Sequence, residues 1–369
     1  MTEHTHHKRE PFVRIAKRNE SPWYRSLLVR AAAIILAFLV SALIIYSITK
    51  LNPIKVFKAM FAGAFGTEKR IWVTLRDSMM LLCVAIGLAP AFKMRFWNIG
   101  AEGQILVGGI ATAACMIYLK DLPTPLLFAA MAVSSLLAGA LWGLIPAIFK
   151  ARWDTNETLF TLMMNYVAIQ ITSFFVAKWE HPFGSNTVGI INQAKKQGWF
   201  PKVFGQQYML NLLIVLGLAV LMFLYLKYTK QGYEIAVVGE SENTARYAGI
   251  NVKTVIIRTM LISGAICGIA GFIAVSGSSH TISTSTAGGD GFTAIIVAWL
   301  SKFNSFVMIA VSMLLSFLER GAVQIASDFG LNEYVSKMIT GVILFFILGS
   351  EFFINYRLIF RHKNPKGGK

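Results

Sequence analysis

Nine apolar runs, most of them long enough to cross a bilayer, constrain this chain more than any other feature. They lie at about 31–49, 71–92, 105–118, 126–149, 157–176, 209–226, 254–275, 306–326 and 335–353. A spanning helix needs about 20 consecutive apolar residues, and its backbone polar groups must be satisfied without water. A tenth run, Phe292 to Leu300, is half that length and is stopped by Ser301-Lys302-Phe303-Asn304. It reads as a half-helix, which a membrane tolerates only inside protein or beside a cavity. The expected fold is therefore an all-α polytopic membrane protein with about ten transmembrane segments. These divide into two five-segment halves, the second inverted relative to the first because the number per half is odd. Basic tails at 1–30 and 357–369 flank a membrane domain at 31–356.

Charge supports this reading. Only 14% of the 369 residues are charged, against about 25% in soluble chains. The net charge of +17 gathers in tails and in turns between runs, as expected for basic cytoplasmic segments facing anionic lipid. Both termini are placed in the cytoplasm on that ground. Nucleic acid is set aside because no basic stripe is interleaved with aromatics outside the apolar runs. Lys55, Lys58, Lys69 and Arg70 fall on the outer side of this topology. An interfacial amphipathic segment with Ile54, Val56, Phe57, Met60 and Phe61 on its apolar side accounts for them. Arg76-Asp77, early in the second span, is expected near the interface. His4, His6 and His7 belong to a tail expected to be disordered. Cys83, Cys115 and Cys267 sit in separate apolar runs and read as buried free thiols.

Chemistry of the enzymatic kind is missing from the sequence. There is no nucleotide-binding GxxxxGK[ST], no HExxH, no GxSxG and no metal-ligand spacing. Glu102, Glu157, Asp290 and Glu319 are too scattered for an ion relay. An ATP-driven process would need its motor, with ATP and magnesium, on another chain.

Polar islands inside the apolar sequence are the functional candidates, since such groups are costly in a membrane unless they line a cavity or find partners. Phe96-Trp-Asn98-Ile-Gly100-Ala-Glu102-Gly-Gln104 is the first. Asn156-Glu157 opens the fifth span and Asn165 follows; if helical, Glu157 and Asn165 share a face. Asn165 either lines a path or bonds a neighbouring helix. The stretch from Ser276 to Gly291 ends in Gly288-Gly-Asp290-Gly291, a counterpart of the first island in the second half. Gly139 and Gly143, and the Gly264, Gly268, Gly271 face, suit close helix packing. Lys178 to about Tyr208 is a long outer loop, either a partner-docking surface or a cover. Lys227 to about Lys253 is the one long inner loop, expected to form one or two short helices that dock a soluble partner, since a plain connection is shorter.

Asn98-Ile-Gly-Ala-Glu-Gly-Gln104, followed by a glycine-rich span, resembles the signature of ABC importer permeases of the nucleoside and simple-sugar group, related to the ribose and branched-chain amino-acid permeases. Asn156-Glu157 … Asn165-Tyr166 and Gly239-Glu240 … Ala248-Gly249-Ile250 match the same pattern. Gly63-Ala-Phe-Gly66 and Trp199-Phe-Pro-Lys202 look most like the nucleoside branch. The resemblance implies a permease in a bacterial plasma membrane that takes up nucleosides by alternating access and binds no cofactor itself. It implies four partners: a second, related permease chain, a pair of cytoplasmic ATPase subunits, an extracytoplasmic binding lipoprotein and the nucleoside. On this reading Gly239, Glu240, Ala245, Ala248, Gly249 and Ile250 couple to the ATPase. Asn98, Glu102, Gln104, Asn156, Glu157, Asn165 and Asp290 line the translocation path or its gate, with a gate preferred for 98–104. Uptake is expected to survive Asn192→Ala and to fall on Glu102→Ala or Gly249→Trp. A simple-sugar importer and an ion-coupled secondary transporter are the alternatives.

Overall fold

The computed structural model describes residues 13–18 and 22–360. The tail histidines and the last basic residues, Arg361 to Lys369, lie outside the described residues. Helices follow in the order α1 (Trp23–Thr49), α2 (Pro53–Phe65), α3 (Glu68–Lys93), α4 (Ala101–Tyr118), α5 (Thr124–Trp153), α6 (Glu157–Lys178) and α7 (Met209–Tyr228). The chain continues through α8 (Lys230–Glu240), α9 (Glu242–Tyr247), α10 (Val252–Phe272), α11 (Asp290–Leu300), α12 (Ser305–Phe329) and α13 (Glu333–Asn355). Among the described residues nine helices are long and apolar enough to cross a membrane, and Asp290–Leu300 is a shorter apolar helix. The protein is thus an all-α, multi-pass membrane protein, with the half-helix where its length placed it.

Helix boundaries follow from local chemistry. Thr67, Asn156, Ser241, Asn251 and Asn332 each accept a hydrogen bond from a backbone N–H in the first turn of the following helix, satisfying a donor that has no intrahelical partner. Lys50 and Asp154 end α1 and α5 in the left-handed conformation, φ 59° and 50°. Beyond Phe272, α10 continues as a π-helical turn, Ile273–Ser279, which the sequence does not announce.

The chain divides into two compact units, residues 1–63 with 321–369, and residues 64–320. In the first, α1 packs along α13, with the Arg30 guanidinium 2.6 Å from the Glu351 carboxylate. Phe38 meets Phe57 of α2 edge to face at 5.0 Å. A short strand β1 (Val13–Lys17) pairs antiparallel with β2 (Tyr356–Phe360). This corrects the reading of residues 1–30 as a disordered tail: part of it pairs with the other end of the chain, and α1 begins at Trp23.

In the second unit α4, α5 and α10 meet at backbone distance. A Cβ on Gly108 would lie 2.5 Å from the Gly268 carbonyl oxygen, and one on Gly139 would lie 2.7 Å from the Gly268 Cα. Gly264 meets the Gly139 carbonyl, and Gly271 meets Ile105 and Gly109. Close approach of this kind replaces the hydrophobic effect, which cannot drive helices together in lipid. Both glycine rows singled out in the sequence serve this one contact.

Candidate functional site: a capped half-helix below a charged cavity

The turn from α3 to α4 brings most of the first polar island inside the protein. Asn98 and Gln104 are fully buried. Asn98 Nδ2 donates to Ser263 Oγ at 3.1 Å, and its Oδ1 accepts from the Gly100 amide at 3.0 Å. The Asn98 and Gln104 amides also exchange two long hydrogen bonds at 3.4 Å. Asn165, from α6, accepts from the Gly103 amide at 2.8 Å and donates to the Ile99 carbonyl at 2.8 Å. One turn earlier, Thr161 accepts from the Ile99 amide at 3.1 Å. These side chains supply the hydrogen bonds that an uninterrupted helix would have made, as buried backbone requires. Ser263 is eleven residues into α10, about 16 Å from its start at 1.5 Å per residue. The turn therefore reaches deeper than the basic Lys93 and Arg95 beside it suggest.

Glu102 points the other way. Its carboxylate accepts from the Gly289 amide at 2.9 Å and the Gly291 amide at 3.0 Å. Gly289 has φ 85°, and a Cβ on Gly291 would lie 2.6 Å from the Glu102 nitrogen. Only glycine permits both the left-handed turn and this approach. The carboxylate thus caps the positive N-terminal end of half-helix α11. The two polar glycine islands recognised as counterparts are in direct contact.

On the other side of the α11 start is a cavity of about 260 Å³. Asp290, Asp77, Glu319, Arg76 and Arg320 bring charge to its wall, with Ser278, Ser279 and Thr286 as hydroxyls. Asp77 is the hub: Arg76 pairs with it at 2.7 Å and Arg320 through its second oxygen. Arg76 also lies 5.2 Å from the Tyr208 ring centroid. The pair expected near the interface is thus drawn into a charged cluster. Arg320 escaped the sequence reading, and Arg76-Asp77 was read only as an interfacial pair, although each is a charge inside an apolar run and so carried the signal.

The 179–208 loop is fastened to the π-helical turn that ends beside this cavity. The Trp199 and His280 rings stack 3.7 Å apart at 2°. The Phe200 amide donates to the Ser276 carbonyl at 3.1 Å, and Ser276 Oγ donates to the Gly198 carbonyl. Asn192 Nδ2 donates to the carbonyls of Met116 (2.8 Å) and Gln197 (3.1 Å). Among the described residues neither ring nitrogen of His280 has a hydrogen-bond partner, and burial pushes its pKa below the ordinary 6.5.

At the opposite end of the second unit, the 227–253 segment forms α8 and α9. Gly239 packs against the backbone of Lys93, so α8 is seated on the end of α3. Ala245 is buried, Ile250 half-buried, and Glu240, Ala248 and Gly249 are exposed. Tyr247 is 94% exposed, and Gly249 (φ 73°) has open space around it. A groove of about 440 Å³ lies between this segment and the α5–α6 turn, lined by Lys150, Arg152, Asp154, Arg246 and Lys253 among others. Glu157 belongs to this end, 3.1 Å from Lys150, which also holds Asp154 at 2.8 Å. The Lys150 hydrogen bond and charge keep the Asp154 carboxyl below the usual range. Asn156 is the exposed cap of α6. Of the seven residues grouped from the sequence, the structure brings Glu102 and Asp290 to the start of the half-helix. It buries Asn98, Gln104 and Asn165 together and leaves Asn156 and Glu157 at the α8–α9 end.

A bundle of apolar spans holding a half-helix, a charged cavity and a seated pair of short helices is the architecture of a multi-pass membrane protein. The chain belongs to the family described as the branched-chain amino acid transport system / permease component, whose model matches residues 71–348. It is 28% identical over 333 residues to the nucleoside ABC transporter permease protein NupB of Lactococcus lactis, covering 88% of this chain and 91% of the relative. It is 30% identical over 328 residues to the guanosine ABC transporter permease protein NupP of Bacillus subtilis, covering 88% and 93%. Identity to the glucose ABC transporter permease protein TsgB13 of Haloferax volcanii is 26% over 320 residues, 83% of each chain. No solved structure matches.

Proposed function

We propose that this chain is one permease subunit of an ATP-driven nucleoside importer in a bacterial plasma membrane. The observation that carries the substrate is the near full-length likeness to two permeases named for nucleosides. In this reading the α8–α9 end faces the cytoplasm together with both termini. The 179–208 loop faces outward, where a binding lipoprotein delivers nucleoside, and a second permease chain completes the path. ATP and magnesium act on separate ATPase subunits that grip the exposed Ala248-Gly249 tip.

The mechanism runs along α3. Closure of the ATPase pair moves α8, which rests by Gly239 on Lys93. Asp77 lies sixteen residues back along the same helix, about 24 Å away. α3, continuous across Pro90, carries the displacement to the charged cavity, and α11, packed along α3, moves with it. Two discrete arrangements of α3 and α11 about the Glu102 cap then expose the cavity to one side or the other, a rigid-body form of alternating access.

The glucose relative supports a second reading, import of a simple sugar. Competition separates the two. In cells carrying the whole system, labelled guanosine uptake is expected to be blocked by excess nucleosides and unaffected by glucose. Glucose import with no nucleoside import would overturn the assignment.

A further inference from the structure

The 179–208 loop has two unlike sides. Its underside is packed: Val188, Ile191 and Phe200 are buried, and the Phe200 ring lies 5.0 Å from Phe272 and 5.9 Å from Phe128. Two rings of the same loop stand clear instead, Phe183 at 96% exposure and Phe204 at 85%. Each sits at the tip of a hydrogen-bonded turn. Around Phe183 the Ser185 amide donates to the Pro182 carbonyl at 3.1 Å, with Gly184 at φ 82°. The Glu180 carboxylate braces this turn, accepting from the Gly184 and Asn186 amides at 3.0 and 3.1 Å. Around Phe204, Val203 and Gln206 exchange backbone hydrogen bonds at 3.2 and 3.0 Å, with Phe204 and Gly205 at φ 50° and 78°. Two positive φ values make a type I′ turn, whose first position ordinarily takes Asn, Asp or Gly. A bulky ring there is a steric outlier, and an outlier held by a braced turn points to a use for the ring.

We infer that Phe183 and Phe204 are the apolar knobs on which the binding lipoprotein seats, with Lys195, Lys196 and Lys202 drawing its acidic face onto them. This rests on the importer reading above. The three lysines are exposed, and Glu180, the one acid of the loop, is engaged in its turn. An approaching protein therefore meets positive charge around two apolar points. Aromatic anchors within a polar rim are the composition of protein interfaces, and complementary charge speeds the encounter. Rings that only dip into lipid need no fixed turn. The loop also lies over helix ends, not beside them: Asn192 holds the end of α4 at Met116, and Gln206 donates to Glu68 at the start of α3. The seat adjoins the charged cavity as well. Arg76 of the cavity wall donates to the Tyr208 hydroxyl at 3.4 Å, and the π-helical turn under the loop brings Ser278 and Ser279 to the same wall. A partner seated here releases its cargo beside the cavity.

The test is docking of the system's lipoprotein, stripped of its lipid anchor and loaded with guanosine, to the assembled permease–ATPase complex in lipid nanodiscs. Surface plasmon resonance reads both rates. Burying one Phe side chain is worth about 10- to 150-fold in affinity. Phe183→Ser and Phe204→Ser are each expected to weaken docking at least tenfold, through faster dissociation. Both complexes are expected to elute as the parent does, since neither ring packs on the chain. Lys202→Glu is expected to slow association at least threefold at low salt and leave dissociation unchanged. Unchanged affinity in the double Phe variant, in a complex that still imports guanosine, overturns the docking surface alone. So does quenching of Phe204→Trp by brominated lipid beyond the parent's level, which would put the ring in the membrane. A parent complex that neither docks the lipoprotein nor imports guanosine overturns this inference together with the function it rests on.

Discussion

Removing the Glu102 carboxylate tests the cap on the half-helix directly. The side chain accepts two backbone hydrogen bonds, 2.9 and 3.0 Å long, from Gly289 and Gly291. Hydrogen bonds to a charged group contribute about 1.5–3 kcal/mol each. Glu102 is only half-buried, and the freed amides recover part of the loss from water in the cavity. A net cost of about 2–4 kcal/mol for Glu102→Ala follows, or roughly 30- to 1,000-fold in the population of the open α11 start at 1.4 kcal/mol per decade. Hydrogen exchange by mass spectrometry on the assembled complex reads that population in peptides covering 286–294. Exchange is expected to accelerate at least 30-fold in Glu102→Ala and by an intermediate factor in Glu102→Gln, which keeps one acceptor. Gly291→Ala, whose Cβ would press on the Glu102 backbone at 2.6 Å, should open the same contact from the other side. Uptake should fall at least tenfold in Glu102→Ala at equal membrane abundance. Unchanged exchange at 286–294 would refute the cap, whatever happened to transport.

Gly268→Leu inserts a side chain where Gly108 and Gly139 leave no room; overpacking of this kind costs about 1–3 kcal/mol or more, and folded permease in detergent should drop severalfold by fluorescence size-exclusion. Gly249→Trp places a bulky residue at φ 73° on an open tip, so it should uncouple ATP hydrolysis from uptake while leaving permease abundance near normal. Asn192→Ala removes two loop hydrogen bonds, about 1 kcal/mol each; it should raise proteolytic cleavage of the 179–208 loop even where uptake survives. His280 is held neutral by burial, with its pKa below 6.5. Its unfolded form therefore binds a proton first, so the loop clamp is at full strength above pH 6.5 and weakens as pH falls below it. Quenching of Trp199 fluorescence by an added quencher should rise between pH 7 and pH 5.5, and His280→Phe should abolish the change.

The apolar runs were legible because a bilayer allows so few backbone solutions, and the half-helix because nine apolar residues cannot span. The inner loop was readable from its length, and the glycine rows from their spacing. What stayed hidden were the pairings. Asp77 and Arg320 are 243 residues apart, and Glu102 and Gly291 are 189 apart. A single sequence states which polar groups need partners but not which ones they find. Thr161 lies midway between Glu157 and Asn165, but a hydroxyl in a helix usually bonds its own backbone, so nothing in the sequence marks its bond to the Ile99 amide. Strand β1 is five residues in a polar segment, too short for alternation to stand out. The π-helical turn after Phe272 contains Ser276-Gly-Ser-Ser279, which reads equally well as a loop.

The most direct measurement of the central claim is guanosine accumulation in proteoliposomes holding this chain, its partner permease and the ATPase pair, with lipoprotein outside. The account predicts accumulation that needs ATP inside and is lost when the ATPase cannot hydrolyse it. Guanosine entry by this chain alone, driven by an ion gradient and indifferent to ATP, would contradict it.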